Sequence, residues 1–202
     1  MGKLYYINGI PYMVKLPTGG FMKKGHIDNQ WDQMISCLNY KGECLDSIIH
    51  WSTMFSWCQE SEYEKDVPFP QRLCSIRGYY SSTCSRYNKS DRWNLSIGFR
   101  PIFIPLNGNT LQPDPSILDE LANGQCIHLG SLYLDETIIR PPQNPTKDGD
   151  IPDYLPGKEI RFGSLKSGYG FQAVKINDWL IADRVLIKNI SWDDLKDLGY
   201  AD

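Results

Sequence analysis

The stretch that decides how the chain is read is Arg77-Gly78-Tyr79-Tyr80-Ser81-Ser82-Thr83-Cys84-Ser85-Arg86-Tyr87-Asn88, followed after a polar run by Trp93-Asn94-Leu95-Ser96-Ile97-Gly98-Phe99-Arg100-Pro101-Ile102-Phe103-Ile104-Pro105. Leu95, Ile97 and Phe99 alternate with other residues before the apolar run Ile102-Phe103-Ile104. That is the pattern of a strand entering a buried sheet. Gly78 and Gly98 lie beside large residues, where a missing side chain lets backbone or a ring come close. Arg77 and Arg100 each border an apolar run. A charge in such a position needs a carboxylate or several carbonyls, and both arginines are expected to have them.

Outward from this stretch, Lys3 to Ile7 and Tyr12 to Leu16 form an aromatic and β-branched pair around Asn8-Gly9, a strong hairpin signal. Pro17-Thr18-Gly19-Gly20 breaks the second strand. Asp28 or Asn29 caps a helix to about Leu38, with Trp31, Met34, Ile35 and Leu38 on one face. From Ile48 to Trp57 neither helical nor strand period fits, and the aromatics read as core filling in irregular structure or as a partner surface. Glu60 to Asp66 reads as acidic and solvated, and Arg72 to Ile76 as a strand.

Asn107-Gly108-Asn109 and the prolines at 113 and 115 mark a boundary, giving an expected division into residues 1–106 and 107–202. In the second part, Asp114 and Pro115 open a short helix from Ser116 to Ala122. Ile127 to Leu134, Lys158 to Leu165, Ala173 to Ile176 and Trp179 to Ile187 read as strands. Residues 141–157 carry Pro141, Pro142, Pro145, Pro152 and Pro156 and read as a long polar loop. Ser191-Trp192-Asp193-Asp194 has the form of a capping box for a helix ending at Leu198-Gly199.

The chain has 202 residues, 41% hydrophobic and 22% charged, within the range of globular proteins that are soluble. No apolar run approaches the ~20 residues of a membrane span. Met1-Gly2-Lys3-Leu4-Tyr5-Tyr6 has no long apolar region of the kind that opens a secretory signal, so the expected location is cytoplasmic. The net charge of -3 argues against a protein whose main task is coating nucleic acid. Cys37, Cys44, Cys58, Cys74, Cys84 and Cys126 contain no Cys-x-x-Cys pair and read as reduced thiols rather than a disulfide framework or zinc site. His26, His50 and His128 are far apart. No metal and no cofactor is expected.

Arg77-Gly78, Arg86-Tyr87 and Gly98-Phe99-Arg100-Pro101, in this order, resemble the closing motif of the formylglycine-generating enzyme family, a variant of the C-type lectin fold. Leu16-Pro17-Thr18-Gly19-Gly20, Asn29-Gln30-Trp31-Asp32 and the Trp-rich segment Trp51 to Glu60 resemble divergent clostridial-type phage or prophage proteins of that superfamily. The resemblance covers roughly the first half of the chain. It implies an α+β fold: a C-type-lectin-like domain over 1–106 with irregular loops, followed by a small β-rich domain with short helices over 107–202.

The resemblance also implies a test of activity. Catalytic members of the family bind copper through two cysteines in the loop after Arg-Gly. Cys84 matches the second, but Tyr79 stands at the first, and a lone thiolate cannot supply the two-sulfur site that copper(I) prefers. Formylglycine generation is therefore not expected, and a thiol-dependent enzyme using Cys84 stands as an alternative. The loop from Tyr79 to Trp93 mixes tyrosine, serine and arginine as antibody loops do. The expected partner-binding residues are Tyr79, Tyr80, Arg86, Tyr87, Arg92 and Trp93, although several of these rings could instead pack beneath the loop. The function expected from the resemblance is non-catalytic binding of a host protein or protein complex by a phage- or prophage-encoded protein, such as inhibition of a CRISPR effector. A tail-associated receptor-binding protein is a further alternative. Nucleic-acid contact through Lys23, Lys24, Arg86 and Arg92 ranks behind these.

Overall fold

The computed structural model describes residues 2–20, 29–39, 55–63, 68, 71–78, 85–91, 97–143 and 150–202. The fold is α+β and mostly β, with two α-helices among the described residues. Strands β1 (Lys3–Ile7) and β2 (Ile10–Lys15) form the hairpin expected around Asn8-Gly9, both of which take left-handed φ angles. They begin an eight-stranded sheet with β7 (Ile102–Pro105), β8 (Cys126–Leu134), β9 (Thr137–Ile139), β10 (Ile160–Gly163), β11 (Gly170–Ile176) and β12 (Trp179–Ala182). The order is β1-β2-β7-β12-β11-β8-β10, with β9 also on β8. The second sheet has order β13-β6-β3-β4-β5. Its strands are β3 (Phe55–Tyr63), β4 (Arg72–Arg77), β5 (Ser85–Lys89), β6 (Ile97–Phe99) and β13 (Ile187–Lys188).

The large sheet curls until its end strands meet. Every pairing along the path is antiparallel, so β1 and β10 run in the same direction. Side chains close this seam. The Tyr5 and Tyr200 hydroxyls are 2.7 Å apart and both donate to the Ile160 carbonyl, at 2.9 and 2.6 Å. At the far end, Asn8 N–H donates to Ser164 Oγ, while Asn8 Oδ1 accepts from Leu165 N–H.

Strand alternation sends one set of side chains inside the curl and the other outside. Tyr12, Phe103, Leu180, Phe171 and Phe162 point inward, and the rings of Phe103, Phe162 and Phe171 lie 5.3–5.6 Å apart. Ile102, Val174, Ile176, Trp179 and Ile181 form the outer set. They are covered by Trp31, Met34 and Leu38 of helix α1 (Gln30–Asn39), whose spacing predicts that contact. Asn29 Oδ1 accepts from Asp32 N–H at 2.9 Å and caps this helix. The smaller sheet adds Phe55, Trp57, Ile76, Phe99 and Ile187 to the inner core. Helix α2 (Trp192–Asp197) joins it through Trp192 and Leu195, and Ser191 and Asp194 make the expected capping box.

Two stretches that read as single strands are each divided between the sheets. Of the stretch Leu95 to Ile104, the described residues 97–104 resolve into β6 and β7, separated by Arg100-Pro101, while 95–96 lie outside the described residues, and Trp179 to Ile187 resolves into β12 and β13. The two breaks lie side by side: Ala182 N–H donates to the Pro101 carbonyl and Leu186 N–H to the Phe99 carbonyl. A two-stranded ribbon thus turns a corner from one sheet to the other. Hydrophobic pattern cannot show such a corner because the residues on both sides of it are buried. The Arg100 side chain sits within it, almost fully buried, and its Nη1 donates to the Asp183 carbonyl at 3.4 Å. Burial pulls Arg100 down to about 10, with the Asp183 charge opposing that shift. The Asp183 carboxylate accepts twice from Arg184, at 2.9 and 2.7 Å.

Other expectations change. Strands from both sides of position 106 hydrogen-bond to one another in the order β2-β7-β12, so one sheet spans the expected boundary. The helix expected from Ser116 to Ala122 is a 3-10 turn, Pro115–Leu118, and the Asp114 carboxylate engages the Ser116 and Asn107 side chains rather than capping it. Glu60 is half-buried rather than solvated, and its carboxylate accepts from Gly19 and Gly20 N–H at 2.8 and 2.9 Å. Phe55 to Trp57 begin a strand, while 48–54 lie outside the described residues. In the Pro-rich 141–157 segment, Ile151 and Tyr154 are buried, and 144–149 lie outside the described residues.

Two outcomes follow. A Cβ on Gly98 would sit 2.3 Å from Val185 Cγ1 and 2.5 Å from the Ile187 carbonyl oxygen. Gly98→Ala is therefore expected to destabilise by about 1–3 kcal/mol, measured by urea denaturation. Burial holds the Tyr200 hydroxyl well above its ordinary range. The folded protein then keeps a proton that the unfolded chain loses near pH ~10, so stability is full below that pH and falls as pH rises through it. Urea midpoints measured across that interval should decline less steeply in Tyr200→Phe than in the wild type.

Candidate functional site

Arg77 closes β4 and fixes where the chain leaves the smaller sheet. Its Nη1 donates to the Gly19 carbonyl at 2.8 Å and its Nη2 to Asp32 Oδ1 at 2.7 Å, while the guanidinium lies 5.8 Å from the Trp31 ring. One arginine thereby joins the loop after β2, the first turn of α1 and the end of β4. Ser75 Oγ adds a bond to the Gly20 carbonyl at 3.0 Å. Gly19 fits here because a Cβ would lie 2.4 Å from Cys58 Sγ. Gly78, directly after Arg77, takes φ 83°, turning the backbone out of the sheet.

The chain returns as β5, the last strand of its sheet among the described residues. Ser85 pairs with Arg77, Arg86 with Ile76 and Tyr87 with Ser75. The segment expected as a continuous loop from Tyr79 to Trp93 therefore contains a strand. Its far end is fixed by Ser90, whose hydroxyl donates to Asp193 Oδ2 at 2.9 Å and whose carbonyl accepts from Asp193 N–H. The Arg86 side chain is exposed, with its guanidinium 5.9 Å from the Phe55 ring. Of the expected contact residues, Arg86 and Tyr87 are brought onto this strand. Tyr79, Tyr80, Arg92 and Trp93 lie outside the described residues, as do Cys84, Lys23, Lys24, His26 and His50. Glu60 and Asp32, which hold the base of the site, gave no sequence signal, since their partners are distant backbone and an arginine on another strand.

A second polar arrangement lies on the larger sheet. Cys126 Sγ donates to Gln172 Oε1 at 3.3 Å, and Gln172 Nε2 lies 3.2 Å from His128 Nε2. His128, Lys166 and Gly168 border a cavity of about 610 Å³. Desolvation pushes the Cys126 thiol up to about 11 and the Cys74 thiol up to about 12, and Cys58 is also raised. These three thiols are protonated at neutral pH, the weakly nucleophilic form. Among the described residues, no three His, Cys, Asp or Glu side chains gather as metal ligands would. No described helix is long and apolar enough to cross a membrane.

No protein-family model, curated protein or solved structure matches the chain. The class defined here is an α+β protein with a curled, antiparallel sheet joined by a ribbon corner to a smaller, mixed one.

The thiol chemistry can be checked directly. Carboxymethylation of Cys126, followed by peptide mass spectrometry, is expected to be slow at pH 7 and to accelerate about tenfold per pH unit toward the raised value.

Proposed function

We propose that this is a non-catalytic binding protein whose contact surface is β5 together with the segments on either side of it. In this reading the framework is C-type-lectin-like, the protein is phage- or prophage-encoded and acts in the host cytoplasm, and its partner is a host defence complex such as a CRISPR effector. The observation that carries the reading is the exposed Arg86 on the last described strand of a sheet whose adjoining strand is anchored by Arg77. A sheet edge offers backbone donors and acceptors to a partner, and a cation stacked near a ring supplies specificity at little further ordering cost. Arg, Tyr and Trp are also the residue types that dominate binding hot spots. The raised thiols of Cys58, Cys74 and Cys126 fit a role in contact better than one in nucleophilic chemistry.

The experiment is interferometry of the immobilised protein against a purified CRISPR effector complex, wild type beside Arg86→Glu. The reading expects saturable binding that charge reversal weakens at least about tenfold, close to 1.4 kcal/mol. Absence of wild-type binding would remove this target. Equal binding by both forms would remove β5 as the contact surface.

A further inference from the structure

On the outer face of the larger sheet, β2 and β7 border a groove of about 360 Å³ lined by Met13, Lys15, Ile104, Leu106, Leu111 and Pro113 among others. Met13 pairs with Ile104 and Lys15 with Ile102, so Met13, Lys15 and Ile104 share one face of the two strands. We propose that this groove binds a small amphiphilic carboxylate, with its hydrocarbon tail between Met13, Ile104 and Leu111 and its head group on the Lys15 ammonium.

Two independent observations carry the assignment. The first is Lys15 itself, half-buried and with no hydrogen bond or ion pair at its ammonium among the described residues. A partly desolvated ammonium is costly without an anion. Asp114, the carboxylate closest in sequence to the groove's Leu111-Gln112-Pro113 wall, is engaged by Ser116 Oγ and Asn107 Nδ2. Burial also lowers the Lys15 ammonium from its ordinary range, as expected of a cation in an apolar wall.

The second observation is the built rim. Leu111 takes φ 55°, a conformation that residues with a Cβ avoid, and the residue is 41% exposed. The backbone there is held by Leu111 N–H to the Asn107 carbonyl and Asn107 N–H to the Gln112 carbonyl, both at 2.8 Å. Asn107 Oδ1 also accepts from Asn109 and Thr110 N–H. The loop therefore presents an apolar side chain beside the groove at a conformational cost, which is how strain is spent at binding sites.

The head-group chemistry follows from the donor set. One lysine is a point charge that suits a single negative charge, whereas a phosphate dianion calls for several convergent donors. The volume lies near the lower end of ligand pockets, roughly 300–1,000 Å³, which selects a short tail.

Octanoate is the probe, titrated into the full chain carrying methyl-labelled methionine, isoleucine and leucine. Saturable shifts at Met13, Ile104 and Leu111 are expected, with a Kd of roughly millimolar or tighter. Octanol should bind at least about tenfold more weakly, and Lys15→Met should weaken octanoate by a similar factor. Leu111→Asn should weaken it severalfold while leaving the loop intact, since asparagine tolerates the left-handed conformation. Neither substitution should lower the melting temperature, so loss of binding is separable from loss of fold. No saturable shift, equal affinity for octanol, or unchanged octanoate binding in Lys15→Met would each overturn the proposal. So would a preference for peptides ending in an apolar residue over octanoate.

Discussion

The corner at which the β6–β7 stretch and the β12–β13 stretch pass together from one sheet to the other is the constraint on which the rest of the fold depends. Four strands meet there, and both sheets take their place in one core because of it. The turn is made with two residues, Arg100 and Pro101, on one stretch and four, Asp183 to Leu186, on the other. Unequal lengths bend a ribbon as a bulge bends a strand pair. Buried charge accompanies the bend: Arg100 faces the Asp183 carbonyl, and Arg184 holds the Asp183 carboxylate in a fork while donating to the Pro142 carbonyl at 2.7 Å. An apolar substitute could fill that volume but could not engage carbonyl and carboxylate together. The polar groups thus favour one path through the corner over its competitors.

From that corner the candidate contact strand is reached by short steps. β6 lies parallel to β3, β3 pairs with β4, and β4 carries β5 at the sheet's described edge. The outer steps are fixed by Arg77 acting on Asp32 and Gly19, and by Glu60 acting on the backbone of the same glycine pair. Two indole donors lock the inner steps, Trp57 to the Ile190 carbonyl and Trp192 to the Cys58 carbonyl, at 2.8 and 2.9 Å. β5 is therefore attached to a framework whose polar contacts reach across the whole molecule. Such a base can hold a strand at the sheet's described edge steady.

Local chemistry was legible in the sequence wherever a motif closes on itself. Asn8-Gly9, the Asn29 cap of α1 and the Ser191–Asp194 box all depend on residues a few positions apart. Arg77 and Arg100 were legible too, because a cation beside a buried strand demands acceptors. The sharing of one sheet by β2, β7 and β12 was not, since nothing local says which distant strand becomes a neighbour. The two divided strands escaped for a related reason: period reports burial, and burial continues through the corner. At the candidate site, residue types pointed to Arg86 and Tyr87, but their strand conformation depends on pairing with β4. The groove at Lys15 left no sequence signal because its walls come from β2, β7 and the loop beyond β7.

The seam between β1 and β10 has a consequence for how the molecule is made. Tyr5 meets its phenolic neighbour only when residue 200 is present, and Leu16 N–H donates to the carbonyl of that same tyrosine at 3.0 Å. During synthesis the first hairpin leaves the ribosome long before its partner, with the inward faces of Tyr12 and Val14 still uncovered. Pairings so distant along the chain carry a large loop-closure cost and slow the final collapse. The nascent hairpin therefore gains Phe103 of β7 against Tyr12 midway through synthesis, while its seam with β10 stays open until Tyr200 has followed.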